Sequence, residues 1–240
     1  MKLVALFSAI GVVGSAAGAV YGADLAAALV PEAGSHGAWY ASRSAGIASY
    51  VFLWVGIVGG LMMSSAFFDG LIGRSRLVAM HQAASIAGVL LGLAHGLVLI
   101  PDGWTHFALK DIFLPFGSYY KPVYSAAGTL SLYLAAVVSA SFWFRSRMGG
   151  KSWKMLHYTS FLAFGGALWH GLMMGTDAHK PWVLAIFLGT SLSVIFGVMV
   201  RITYARPPVR RVVPAQAGAI AETGRPVPIR GEARAAGGRE

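Results

Sequence analysis

The chain has 240 residues, a mean hydropathy of +0.64 and only 12% charged side chains, against roughly a quarter in soluble domains, which excludes an ordinary soluble fold. Cysteine is absent, so disulfides, iron–sulfur clusters and thiolate metal sites are excluded as well. The formal net charge of +10 sits in so apolar a chain that it reads as topology-setting Lys and Arg plus a basic tail; no nucleic-acid partner is expected.

Six apolar runs are each long enough to cross ~30 Å of hydrocarbon as a helix. They cover residues 3–29, 46–68, 77–100, 123–144, 155–174 and 182–200. Continuous stretches of this length do not arise from the short alternating strands of a membrane barrel. The expected fold is therefore an all-α membrane protein, a six-transmembrane-helix bundle in contact with lipid. The first run, within residues 1–30, can be read as a signal sequence or signal anchor. Gly14, Gly18 and Gly22 form a small-xxx-small face that suits a retained helix packed on another.

Between the runs, Arg74 and Arg76 mark one connection, and Arg145, Arg147, Lys151 and Lys154 another. Both are expected on the cytoplasmic side. The connections 30–45, 101–122 and 175–181 are poorer in Lys and Arg and carry Glu32, Asp102, Asp111 and Asp177, which places them outside. Both termini then face the cytoplasm. Residues 205–240 are rich in Pro, Gly, Ala and Arg, without apolar periodicity, and read as a disordered basic tail. A flavin or nicotinamide domain needs a whole α/β unit, so a separate molecule is expected to supply any electrons.

Four of the seven histidines fall in pairs within two runs: His81 and His95 in the third, His157 and His170 in the fifth. A lone membrane imidazole is as readily a hydrogen bond to a neighbouring helix as a functional group. Pairing changes that weighing. Separations of 14 and 13 residues put the members of each pair ~20 Å apart along a helix. The third and fifth spans run in the same direction, so His81 can face His157 near the cytoplasmic side and His95 can face His170 near the outer side. Two opposed imidazoles at each of two depths suit the axial positions of haem iron. A bare metal ion would want three or four convergent ligands, and these runs contain no Asp or Glu. One geometric difficulty stands out: 14 residues return to within ~40° of the starting azimuth, whereas 13 leave the second histidine ~140° away. The fifth helix must twist, kink or offer its two ligands from different sides; Gly165 and Gly166 lie between its histidines and suit such a distortion, Gly88 sits midway in the third as room for a macrocycle edge, and ordinary close packing explains all three glycines equally well.

These residues resemble the ferric reductase-like transmembrane domain shared by NADPH oxidases, ferric reductases and the haem-binding subunit of the periplasmic methionine sulfoxide reductase system. The likeness covers about residues 43–182, within a domain read as 43–204. Gly150, Lys151, Trp153, Leu156 and His157 look like the G-K-x-W-x-x-L-H entry to the fifth helix. Leu114-Pro115-Phe116, Tyr120-Lys121-Pro122, His170-Gly171 and Gly175-Thr176-Asp177 look like stand-alone bacterial members. The resemblance implies two b-type haems, the inner on His81 and His157, the outer on His95 and His170. It also implies that Arg43 pairs with an outer-haem propionate, although an interfacial snorkelling anchor explains an arginine there equally well. Lys151, Trp153 and Lys154 are candidates for inner propionates or a donor's surface, and equally for topology-setting charges and a belt tryptophan. Val98 stands where some oxidases carry a further histidine, which argues against superoxide production. His36, His106 and His179 fall in outer connections, where solvated loop residues are expected.

The expected function is transmembrane electron transfer in a bacterial inner membrane, by an oxidoreductase-type subunit whose own enzymatic status the sequence leaves open. The donor would be a separate flavoprotein, quinol or other reductase; the acceptor, ferric iron, oxygen or a periplasmic oxidoreductase. The alternatives are a quinol-dependent cytochrome b subunit and a haem-free helical scaffold or transporter.

Overall fold

The computed structural model describes residues 37–102 and 105–204. The first apolar run, His36 and the tail 205–240 lie outside the described residues. Within them every regular element is a helix: α1 (Gly37–Ser64), α2 (Arg74–Leu97), α3 (Leu109–Phe113), α4 (Pro122–Met148), α5 (Gly150–Tyr158), α6 (Ser160–Met174) and α7 (Pro181–Thr203). Four of these, α1, α2, α4 and α7, are long and apolar enough to cross a membrane. The fifth run is divided instead between α5 and α6, of 9 and 15 residues.

The helix ends differ instructively from the apolar runs. α1 begins at Gly37, so residues 37–45, expected in an outer connection, are its first turns. No Pro or Gly-rich break separates them from the apolar stretch, and the helix extends beyond the apolar run at its start. α4 and α7 start with Pro122 and Pro181 at N1, where proline's missing N–H and fixed φ cost nothing. The basic connection expected over residues 145–154 is nearly all helix. Only Gly149 separates α4 from α5, at φ 75°, a conformation that side-chain-bearing residues avoid.

Register follows from the cross-helix contacts. α1 runs antiparallel to α2: Ser42 meets His95, Ser49 donates to the Gly88 carbonyl at 2.7 Å, and Gly56 meets His81. α4 is likewise antiparallel to α6, with Tyr124 opposite His170. α7 runs parallel to α1, joined by Tyr50 to Thr190 at 2.6 Å and by Trp54 donating to Ser193 at 2.8 Å. Such pairings satisfy polar groups that lipid could not. The apolar core centres on Tyr50, Ile57 and Leu61 of α1, Phe164 of α6, and Phe187 and Val194 of α7, with the Tyr50 ring stacked on Phe164 at 5.2 Å.

Candidate functional site

The two pairs expected from spacing come together. The ring centroids of His81 and His157 are 5.9 Å apart with planes at 64°, and those of His95 and His170 are 6.0 Å apart at 83°. α2 and the α5–α6 segment therefore run in the same direction. Two imidazoles bound to opposite sides of one metal, each through an N–metal bond of ~2 Å, have centroids about 6 Å apart. Among the described residues no group of three or more His, Asp or Glu gathers as a bare metal ion would require.

Hydrogen bonding fixes which nitrogen of each ring is presented. The Nδ1 of His81 lies 2.7 Å from the Gly56 carbonyl, that of His95 2.8 Å from the Ser42 carbonyl, and that of His170 2.9 Å from the Tyr124 carbonyl. A carbonyl only accepts, so each Nδ1 carries the proton and each Nε2 keeps its lone pair. This is the outer-sphere arrangement of metal-ligating histidines. His157 differs: its ring lies on the Trp153 indole, centroids 5.0 Å apart and planes at 21°.

Glycines let the neighbouring backbones come this close. A Cβ on Gly46 would stand 2.9 Å from His95 Nδ1, and one on Gly128 2.5 Å from His170 Nδ1. A Cβ on Gly59 or Gly60 would stand 3.4 or 3.5 Å from His81, in ordinary contact. Sequence reasoning passed over all four, along with the three carbonyl anchors. A signal existed in their positions on the second and fourth runs, but it is unreadable until helix register is known.

The distortion required of the fifth run sits elsewhere than at Gly165 and Gly166. Both lie inside the unbroken α6; Gly166 packs against Ser131 of α4. The irregularity is at Thr159, between α5 and α6, whose N–H reaches the Leu156 carbonyl at 3.1 Å, three residues back. A turn of this 3₁₀ type adds ~20° per residue, ~60° over three residues, and recovers part of the azimuth that a 13-residue spacing loses. Gly88 packs closely on Leu53, whose side chain an added Cβ would meet at 2.9 Å, and it also lines the cavity beside His95 and His170.

A cavity of about 480 Å³ opens beside His95 and His170, with Arg43, Asp111 and Asp177 also in its lining. Arg43 is ion-paired with Asp177, which also holds Lys180 at 3.1 Å, and its guanidinium lies 4.2 Å from the Trp39 ring centroid. Asp177 is thus matched by two cations, whereas Asp111, the cavity's other carboxylate, has no ion-pair partner among the described residues. Lys151 and Lys154 are exposed, as are His106 and His179.

Comparison with family models, curated proteins and solved structures finds no match. The site must be judged on its own geometry. The donor set suits haem b: two imidazole couples, three of whose four rings present an Nε2 lone pair, and beside the His95/His170 couple a largely apolar cavity of ligand size with Arg43 in its lining. His95 and His170 would hold one iron and His81 and His157 another, with Arg43 placed to meet a carboxylate.

Proposed function

We propose that this chain is a multi-pass inner-membrane subunit that carries electrons across the bilayer between two bis-histidine haem b sites, in the manner of a ferric reductase-like domain. The supporting observation is the pair of imidazole couples in which three of four Nδ1 atoms are committed to backbone carbonyls, since that arrangement leaves Nε2 free for metal. Haem b held by His81 and His157 and by His95 and His170 would supply a one-electron centre at each of the two depths.

The chain's own residues orient the ligands, exclude water and set the electrostatics. Gly56, Ser42 and Tyr124 fix the tautomer; Trp153 backs His157; Arg43, Asp177 and Lys180 shape the outer mouth. Arg74, Arg76, Arg145, Arg147, Lys151 and Lys154 orient the bundle with both termini cytoplasmic. The inner site then faces a separate flavoprotein or quinol donor, and the outer site an acceptor such as ferric iron, oxygen or a periplasmic oxidoreductase.

The full chain purified in detergent should give a b-type dithionite-reduced minus oxidised spectrum and about two haems per chain by pyridine haemochrome, in keeping with bis-imidazole ligation. His81→Ala or His95→Ala should leave about one. A wild-type chain expressed with ample haem and lacking Soret absorbance would overturn the reading in favour of a haem-free scaffold.

A further inference from the structure

The outer cavity contains polar atoms that the imidazole pair does not account for. Asp111 is only 3% exposed. Its Oδ2 accepts the Ala108 N–H at 2.8 Å, whereas its Oδ1 is buried without a hydrogen-bond partner, as is the Thr105 hydroxyl. Both residues line the cavity that His95 and His170 share.

The short helix α3 is seated where it bears on both ligands. Ile112, next to Asp111, fills the space beside Gly96, where a Cβ would stand 2.8 Å from its Cγ2. The Ile112 carbonyl accepts the Thr129 hydroxyl at 2.8 Å. Gly96 follows His95, and Thr129 follows Gly128, the residue against His170. The backbone carrying Asp111 is thus fastened one residue beyond each side of the imidazole pair. Asp111 makes no ion pair among the described residues, whereas the cavity's other carboxylate, Asp177, is matched by Arg43 and Lys180. A carboxylate buried without a counter-charge is costly, and such residues are kept where a partner charge arrives.

We propose that Asp111 is the counter-charge of the outer centre. Its carboxylate offsets the single positive charge that a bis-imidazole haem carries when oxidised, and so holds the outer midpoint potential down. This rests on the haem reading above. Reduction adds one electron from the inner side and neutralises that charge, with no bond made or broken, so a nearby anion stabilises the oxidised form alone.

The test is a mediated potentiometric titration of the full chain in detergent, in which two one-electron transitions are followed and the outer one is identified by its loss in His95→Ala. In Asp111→Asn the amide oxygen can still accept the Ala108 N–H while the charge is gone. The outer reduction equilibrium is expected to shift about tenfold toward the reduced form, about 59 mV for one electron, with the inner transition unmoved. Asp111→Glu should return most of the shift, and Asp111→Ser, a second neutral variant, should reproduce it. The proposal is overturned if both neutral variants keep two haems with unmoved potentials. Loss of the outer haem in both overturns it equally, because Asp111 would then be a structural residue. A wild-type chain without haem would instead sink the function reading itself.

Discussion

At the His95/His170 pair both imidazoles give their Nδ1 hydrogen to a backbone carbonyl, of Ser42 and Tyr124, and both rings lie against a glycine, Gly46 and Gly128. At the His81/His157 pair only His81 has such an anchor, in Gly56, while His157 rests on Trp153 just before the irregular turn at Thr159. The outer pair is thereby held by continuous helix backbone on both sides. The inner pair is held by backbone on one side and by a side chain on the other. A ligand pair fixed by backbone geometry is sensitive to what is added beside it; one fixed by a side chain is sensitive to what is removed.

The largest consequence concerns Gly128. An added Cβ would lie 2.5 Å from His170 Nδ1, closer than packed atoms tolerate, and that same Nδ1 is hydrogen-bonded to the Tyr124 carbonyl one turn earlier on α4. Overpacking of this kind costs ~1–3 kcal/mol. Gly128→Ala should push His170 off its partner and lower haem content by pyridine haemochrome from about two to about one per chain, as expected when one bis-imidazole site fails. The inner haem spectrum should persist. Full retention of both haems in Gly128→Ala would mean that the outer ligands are not rigidly seated.

Much of this was legible in the residues and some of it was not, for definite reasons. Four long apolar helices and both histidine couples follow from run length and from spacings of 14 and 13 residues, because hydrophobic transfer and helical rise act on any sequence alike. Of the six expected spans, the first lies outside the described residues and the fifth is not found as one long helix, its residues being divided between α5 and α6 of 9 and 15 residues. The break at Thr159 was unreadable: it is a choice between two backbone acceptors, with glycines nearby that looked better suited, of which Gly166 packs against Ser131 and Gly165 faces open space. The carbonyl anchors were hidden for the same reason, since every residue has a carbonyl and only register decides which one faces a ring. Arg43 could be singled out, but not its partner Asp177, 134 residues away in the chain.

The inner pair gives the intermediate effect. Stacking between aromatic rings is worth about 0.5–1.5 kcal/mol beyond burial, so Trp153→Ala should speed haem loss from the inner site by about 2- to 10-fold, measured as transfer to apomyoglobin, with the outer site unaffected. Trp153→Phe retains a ring to lie on His157 and should behave nearly as wild type. The Trp153 indole Nε1 is buried without a partner, which separates two roles for this side chain. If Phe fails as badly as Ala, the missing N–H rather than the stack is what the inner site uses.

The smallest effect is expected at Ser42, and it decides between backbone and side chain as the outer anchor. The Ser42 hydroxyl donates to the His95 carbonyl at 2.7 Å and lies 3.0 Å from His95 Nδ1, while the Ser42 carbonyl accepts from that same Nδ1 at 2.8 Å. Ser42→Ala removes the first two contacts and leaves the third, because the backbone is unchanged. A side-chain hydrogen bond contributes ~1 kcal/mol net, so outer haem affinity should fall by no more than about fivefold, with haem content and the reduced spectrum close to wild type. Loss of the outer haem in Ser42→Ala would show that the hydroxyl, not the carbonyl, fixes the His95 tautomer. The contrast between the two pairs would then be one of two different side chains, Ser42 and Trp153, rather than of backbone against side chain.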